Sequence, residues 1–478
     1  MNKGIENVHK GMIAVLAVML VLLVAAVGTA SAASEWDAVF GGDGSDNAYS
    51  VEQTDDGGYI LTGYKAFPER KVWLLKTDSS GVREWDRAFG GDSSWGQSVR
   101  QTNDSGYIVT GFTETYGDGG YDVWLIKTDS SGNEVWNKTF GNTDQDYGKS
   151  VRQTSDGGYI VAGSTDIQIG SGTQYAAWLI KTDFSGKEDW NQTYDYDTGM
   201  DEFYSVQQTS DGGYIAAGYS KNTTTGGRYG IWLLRTDSDG TELWNKTFGK
   251  ADETDYGHEV RIEETSSSYI IGGRTKSYGA GNYDVWLIKT DPNGDELWNR
   301  TYGGSGSDSG YSMDVASDGG YVIAGNTKSY GAGKYDFWLV KTDSNGNEEW
   351  DMTFGGPEDD GACSVDVTDD GSYVIAGYTK SGDPGNKDIW LVHTEGPACI
   401  GENYRFTCGD VVNESCTFNA NLACPAATAG LIIGADGITI NGAGYKITGD
   451  LTGATCAGCG ADAPCTLSGI YNDGHDNV

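Results

Sequence analysis

Proline is scarce, seven in 478 residues, and histidine scarcer still, with four. So little proline beside 73 glycines, 29 tyrosines and 15 tryptophans points away from disorder and toward many short strands joined by glycine turns. The histidines, His9, His258, His393 and His475, fall in no nucleophile or zinc motif, so no catalytic constellation stands out and catalysis is left open. Basic residues are also few: 32 Lys and Arg stand against 69 Asp and Glu, giving a net charge of −37. This acidic protein would repel a phosphate backbone, which excludes nucleic acid as a partner, and anionic membrane surfaces are disfavoured for the same reason. Beyond residue 33 no apolar run is long enough to cross a bilayer, which restricts membrane contact to the N-terminal segment, if it is uncleaved.

That segment, residues 1–33, has the layout of a signal peptide. Lys3 and Lys10 precede an apolar run from Met12 to Val27, and small residues follow, ending Ala30-Ser31-Ala32-Ala33. Cleavage after Ala32 or Ala33 predicts a secreted, extracellular or cell-surface protein. A retained anchor is the alternative.

Three anchors then recur in register. The first is V-W-L-L-K-T-D, whose tryptophans Trp73, Trp124, Trp178, Trp232, Trp286, Trp338 and Trp390 are spaced by 51, 54, 54, 54, 52 and 52 residues. The second is a tryptophan in W-N-K-T-F-G-like segments: Trp85, Trp136, Trp190, Trp244, Trp298 and Trp350, with Trp36 standing alone before the first repeat. The third is D-G-G-Y-I-x-x-G, carrying Tyr59, Tyr107, Tyr159, Tyr214, Tyr269, Tyr321 and Tyr373. One unit reads as four antiparallel strands; in the third copy these are 150–154, a D-G-G turn, 159–163, a longer glycine-rich loop, 177–182, a second tight turn and 190–194. A small sheet with two apolar faces must stack on copies of itself, so residues 34–396 are expected to form an all-β, seven-bladed β-propeller with the tryptophans in its core. The chain opens on a lone fourth strand, 35–40, and its last repeat stops at a third strand, 389–394. The two are predicted to pair and close the ring.

The motifs D-G-G-Y-I-V-A-G, D-V-W-L-I-K-T-D and G-N-E-V-W-N-K-T-F-G resemble the tandem propeller repeats of secreted archaeal and bacterial surface proteins, over residues 35 to about 396. The G-x-E-x-W step at Gly132 to Trp136 is similar to the tryptophan-docking repeat of quinoprotein-like propellers. Neither an adjacent cysteine pair nor an eighth blade accompanies it, which speaks against quinone chemistry.

Two connections per blade are tight and two are long, and the long ones emerge on one face, where irregular loops on a rigid scaffold carry function. The candidate binding residues there are Trp95, Asp144, Asp146, Tyr147, Asp201, Glu202, Asp255, Tyr256, Asp308, Tyr311, Asp359 and Asp360. Tyr116, Tyr278 and Tyr330 come from the second set of loops. Aromatic rings stack on sugars and carboxylates bind hydroxyls or cations; solvated turn residues are the plain alternative. Calcium is a candidate cofactor at Asp237-Ser238-Asp239-Gly240, although most copies read as ordinary hairpin turns. The sequons at Asn137, Asn191, Asn245 and Asn299 share one place in the repeat and are glycosylation candidates.

After residue 396 the composition changes. Cys399, Cys408, Cys416, Cys424, Cys456, Cys459 and Cys465 are disulfide candidates of unassigned pairing. The alternation of strand and turn from Gly430 to Thr448, resumed at Gly469, resembles the opening coils of a NosD-type right-handed parallel β-helix, so residues 397–478 are expected to be a Cys-rich, incomplete β-helix, truncated within a repeat. Three functions follow. The leading one is non-catalytic binding or adhesion through the long-loop face to an extracellular glycan, peptide or protein. The others are a carbohydrate-active lyase or hydrolase whose β-helix is catalytic, and a structural component of a cell envelope.

Overall fold

In the computed structural model the described residues are 36–395, apart from loop positions 67, 170–171, 196–198, 223–227, 264 and 382–384; beyond them only the backbone of short strands between 399 and 472 is described. Residues 1–33, read from sequence as a signal peptide, and the side chains of the C-terminal cysteines lie outside this set. No helix occurs among the described residues. Residues 36–394 form strands β1 to β28, numbered in chain order, in seven antiparallel four-stranded sheets. The first blade is β2 (Asn47–Gln53), β3 (Tyr59–Lys65), β4 (Lys71–Thr77) and β5 (Arg83–Phe89), hydrogen-bonded in chain order. Five more blades repeat this order, and the protein is a seven-bladed propeller.

The seventh blade is composite. β26 (Gly361–Val367), β27 (Tyr373–Thr379) and β28 (Asp388–Thr394) are completed by β1 (Trp36–Phe40), which lies antiparallel to β28 with Trp36 opposite His393 and Phe40 opposite Ile389. This is the closure that the sequence offset predicts. Trp390 Nε1 donates to Asp37 Oδ2 at 2.9 Å, and His393 stacks flat on Trp36, with ring centroids 5.3 Å apart. At the axis, the inner strands join blade to blade: Val99 N donates to Ser50 Oγ at 3.2 Å, and Val51 N closes the circle on Ser364 Oγ at 3.1 Å.

The recurring motifs have mechanical roles. In the D-G-G turn Gly57 takes φ +80°, a conformation only glycine adopts without strain. Asp56 Oδ1 accepts from Thr54 Oγ1 at 2.6 Å and Gly58 N at 3.0 Å. Lys76, only 2% exposed, reaches both Asp56 at 3.0 Å and the Thr77 carbonyl at 2.8 Å, so the buried ammonium is paired. Lys127, Lys181, Arg235 and Lys341 repeat the contact with Asp104, Asp156, Asp211 and Asp318. The lysine of K-T-D and the aspartate of D-G-G are thus one clamp.

Trp73, Trp124, Trp232 and Trp286 are buried between blades. Each covers on the order of 150–250 Å², a gross gain of about 4–6 kcal/mol at about 25 cal/mol per Å². The outer-strand tryptophans meet the D-G-G-Y tyrosine of the next blade, as in Trp85–Tyr107 at 5.8 Å, Trp136–Tyr159 at 5.8 Å and Trp36–Tyr59 at 5.6 Å. The same rings cover the glycine of the next blade's second turn: a methyl group on Gly132 would stand 2.4 Å from Trp85.

The third and fourth blades depart from the expected pattern. β11 (Tyr159–Ile169) and β12 (Gly172–Thr182) pair without a break to Ile169 opposite Gly172, where the sequence predicts a loop. β15 (Tyr214–Asn222) and β16 (Arg228–Thr236) extend likewise. The alternating Thr165 and Ile167 suit a continuing hairpin, whereas T-Y-G or S-Y-G loops interrupt the blades carrying Tyr116, Tyr278 and Tyr330. Among the C-terminal strands, Val411–Val412, Leu431–Ile433 and Ile470–Asn472 pair in parallel, as do Cys416–Phe418 with Ile440–Asn441 and Leu422–Ala423 with Ile447–Thr448.

Candidate functional site

The inner strands surround a central channel of about 430 Å³. Each inner strand carries a β-bulge at the same place, where register shifts between Ala48 and Ser50, Gly96 and Ser98, Gly148 and Ser150, Phe203 and Ser205, Gly257 and Glu259, Gly310 and Ser312, and Ala362 and Ser364. A bulge re-aims its extra residue. All seven such residues, Tyr49, Gln97, Lys149, Tyr204, His258, Tyr311 and Cys363, line the channel. The residue before the bulge is small in six blades because the neighbouring blade is close: a methyl group on Gly96 would stand 2.2 Å from Thr62 Oγ1.

One step toward the long-loop face lies the register position held by Asn47 in the first blade, and Trp95, Tyr147, Glu202 and Tyr256 occupy it in the next four. Trp95 stacks on Phe112 at 4.9 Å, and Phe112 meets Tyr121 and Tyr147 edge-on at 5.3 and 4.9 Å. Across the mouth, Tyr256 stacks on Tyr229 at 5.5 Å and meets Tyr219 edge-on at 5.1 Å. Cations are inlaid in this belt. The Lys149 ammonium lies 5.2 Å from Tyr147 and 3.4 Å from Glu202. The Arg274 guanidinium lies 4.7, 4.9 and 5.6 Å from the Tyr256, Tyr283 and Tyr311 rings and donates to Tyr311 Oη at 3.2 Å.

Glu202 accepts from Ser164 Oγ at 3.0 Å and from Tyr219 Oη at 3.2 Å. Burial, reinforced by that carboxylate, raises the Tyr219 hydroxyl far above its ordinary range, so it remains a donor. Burial, with Arg274 and Lys149 nearby, holds His258 well below 6.5, so its imidazole is neutral at physiological pH; its Nε2 has no partner among the described residues. Deeper in the channel the charges are balanced. Arg261 binds Asp314 at 3.0 Å and also Glu259, Arg100 lies 3.8 Å from Glu52, and Arg152 lies 3.9 Å from Glu259. Burial, with Arg100 and Arg261 alongside, brings Arg152 down to about 9, while burial, Asp314 and Glu52 push Asp366 up to about 7.

The structure divides the residues singled out from sequence. Trp95, Tyr147, Glu202 and Tyr256 stand two residues before the channel-lining Gln97, Lys149, Tyr204 and His258, on the loop side of that lining, and Tyr311 is in the wall itself. Asp146, Asp201, Asp255, Asp308 and Asp360 are fully buried where the inner strands begin, and none lines the channel. They secure loops: Asp308 Oδ1 accepts from Thr327 Oγ1 at 2.6 Å and Lys328 N at 3.0 Å, while Oδ2 accepts from Gly304 N at 2.9 Å and Ser329 Oγ at 2.5 Å. Asp360 makes the same set with Thr379, Lys380, Gly356 and Ser381. Asp144 accepts from Gln168 at 3.1 Å and Asp359 lies 3.3 Å from Lys380, both in the outer loops. Tyr116, Tyr278 and Tyr330 are exposed and fold over Trp124, Trp286 and Trp338 of their own blades.

Buried carboxylates also approach one another. Burial and Asp146 push Asp122 up to about 6, and burial and Asp360 do the same to Asp336. At the turn considered for calcium, Asp237 Oδ1 accepts from Asp239 N at 3.0 Å and Thr241 N at 2.8 Å, the contacts of a hairpin turn. The sequon asparagines have a structural partner. Trp124, Trp178 and Trp286 donate their indole N–H to Asn137, Asn191 and Asn299 at 3.2, 3.1 and 3.2 Å. The equivalent acceptors in other blades are Asp86, Asp351 and Asp37. Asn245 donates to Glu242 at 2.6 Å.

Sequence reasoning missed Tyr49, Lys149, Tyr204, His258 and Arg274. The available signal was the residue before Ser-Val in Y-S-V, Q-S-V, K-S-V and C-S-V, which changes chemistry in a repeat that is otherwise nearly constant there.

No family model matches the chain. One curated protein similar to it is the regulatory protein FlaEY of Caulobacter vibrioides, 30% identical over 135 residues, which are 25% of this chain and 14% of that protein. The chain thus matches about a seventh of that relative's length. Similar solved structures include a protein of unknown function from Dyadobacter fermentans (TM-score 0.45, 11% identity, 76% of this chain and 98% of that one). Others are the Pan2 WD40 domain of Neurospora crassa (0.44, 10%, 74% and 97%) and Sqt1 of Chaetomium thermophilum (0.41, 10%, 70% and 80%).

Proposed function

We propose that this is a secreted or cell-surface, non-catalytic binding protein that engages an extracellular glycan at the channel mouth on its long-loop face. The carrying observation is the aromatic belt around that mouth, with Trp95, Tyr147 and Tyr256 held on rigid inner strands. Sugar rings present C–H faces that stack on such side chains, and their hydroxyls need fixed polar partners. Asn47 and Asn326 line the channel, each with a side-chain oxygen that lacks a partner among the described residues. The closed ring keeps these groups in place before any ligand arrives, which lowers the ordering cost of binding.

Glycan-array binding by the full chain tests this reading. The expected result is a defined set of bound glycans, with Tyr256→Ala and Trp95→Ala each weakening them about tenfold. Binding unchanged in both variants, or no bound glycan and self-assembly into sheets seen by electron microscopy, would overturn it.

A further inference from the structure

We infer that the channel mouth selects acidic glycans, seating a carboxylate of the uronate type on Arg274 beside Tyr311 and His258, whose rings pack edge-on at 5.1 Å; this rests on the glycan reading above. The argument begins with charge matching. Lys149 is matched by Glu202, and Arg100, Arg152 and Arg261 by Glu52, Glu259 and Asp314. Arg274 differs. Among the described residues no carboxylate pairs with it; its Nε is buried without a hydrogen-bond partner, as are those of Arg70, Arg100 and Arg152. Of the cations that line the channel, Arg100, Lys149, Arg261 and Arg274, the last alone has no carboxylate against it among the described residues.

The surroundings suit a planar anion. The guanidinium is held against three tyrosine rings, so engaging a carboxylate with two parallel N–H donors costs little further ordering. Tyr311 Oη accepts from Arg274 and so has its own proton to donate. The uncharged His258 adds a polar ring nitrogen to the same wall without bringing a second cation to it. The cavity, about 430 Å³, suits one or two sugar units rather than a folded partner.

The experiment is an array of uronate-bearing, sulfated and neutral glycans probed with the full chain, Arg274→Gln and Arg274→Lys. Expected are uronate glycans bound at least about tenfold better than their neutral counterparts, a preference abolished in Arg274→Gln and partly kept in Arg274→Lys. Free glucuronate should compete, and acetate or inorganic sulfate should compete far less. Neutral glycans bound equally well, a preference for uronates untouched by Arg274→Gln, or a preference for sulfated over uronate glycans would each overturn the acid seat and leave the glycan reading standing. Acetate competing as well as glucuronate would reduce the site to a simple anion site and overturn it. No glycan bound at all would overturn both readings. Arg274→Lys, which keeps the charge, separates loss of the seat from loss of the fold.

Discussion

At the scale of single residues, strict repetition and close approach go together. Gly132 sits under Trp85 at φ +75°, whereas Gly57 has a similar φ of +80° and open space around it. Gly57→Ala therefore measures backbone strain alone, about 1–2 kcal/mol, and Gly132→Ala adds the clash with the indole, for a total of about 3 kcal/mol. Thermal denaturation of both variants checks the difference, and equal losses would show that the tryptophan yields freely. Such residues were legible because packing demands recur in every blade: the two tryptophans and the tyrosine stood out by spacing alone. The bulge residues showed only as the position before Ser-Val that varies in chemistry, as at Tyr204; that this position is a bulge facing the channel depends on how one strand registers against another, and His258, followed by Glu259-Val260, lacks even the motif. The buried aspartates misled for a related reason. Asp308 looks like any loop carboxylate until Thr327 and Ser329 are brought round to it.

Among elements, the latch strand is the most exposed to test. β1 contributes Trp36, stacked on His393, and Asp37, bonded to Trp390, across a sequence separation of 353 residues. Deleting residues 34–41 removes one strand of the seventh blade and uncovers the edge of β28. Differential scanning calorimetry is expected to show a lower and broader transition in place of a single cooperative one; an unchanged melting curve would mean the ring holds without it. The latch could be read in advance because a missing strand at one end matched a spare strand at the other. The long hairpins of the third and fourth blades could not, since glycine-rich stretches resemble loops and only the pairing of Ile169 with Gly172 shows the ladder continuing.

For the whole molecule, buried groups of opposite tendency set the pH response. His258 and His393 titrate below 6.5 in the fold, chiefly because they are buried, so the unfolded chain takes up their protons first and stability falls as pH drops through 6.5. Asp122 and Asp336 act in reverse. Their folded values of about 6, against an ordinary 3.8, mean that the penalty for their charge is present in full above pH 6 and is relieved as pH falls from 6 toward 4. Asp122→Asn should raise Tm by roughly 2 °C at pH 7.5 and leave it unchanged at pH 4.5. A loss at both pH values would show that the carboxylate serves through its contacts instead. The seven bulges have a different consequence, one for the molecule's history. Each presents its residue at a point where the ladder has already let go of the chain, so tyrosine, glutamine, lysine, histidine and cysteine occupy equivalent places without disturbing the blades that hold them. A lineage built on this plan can rewrite its ligand one blade at a time, by substitutions that selection for folding scarcely sees.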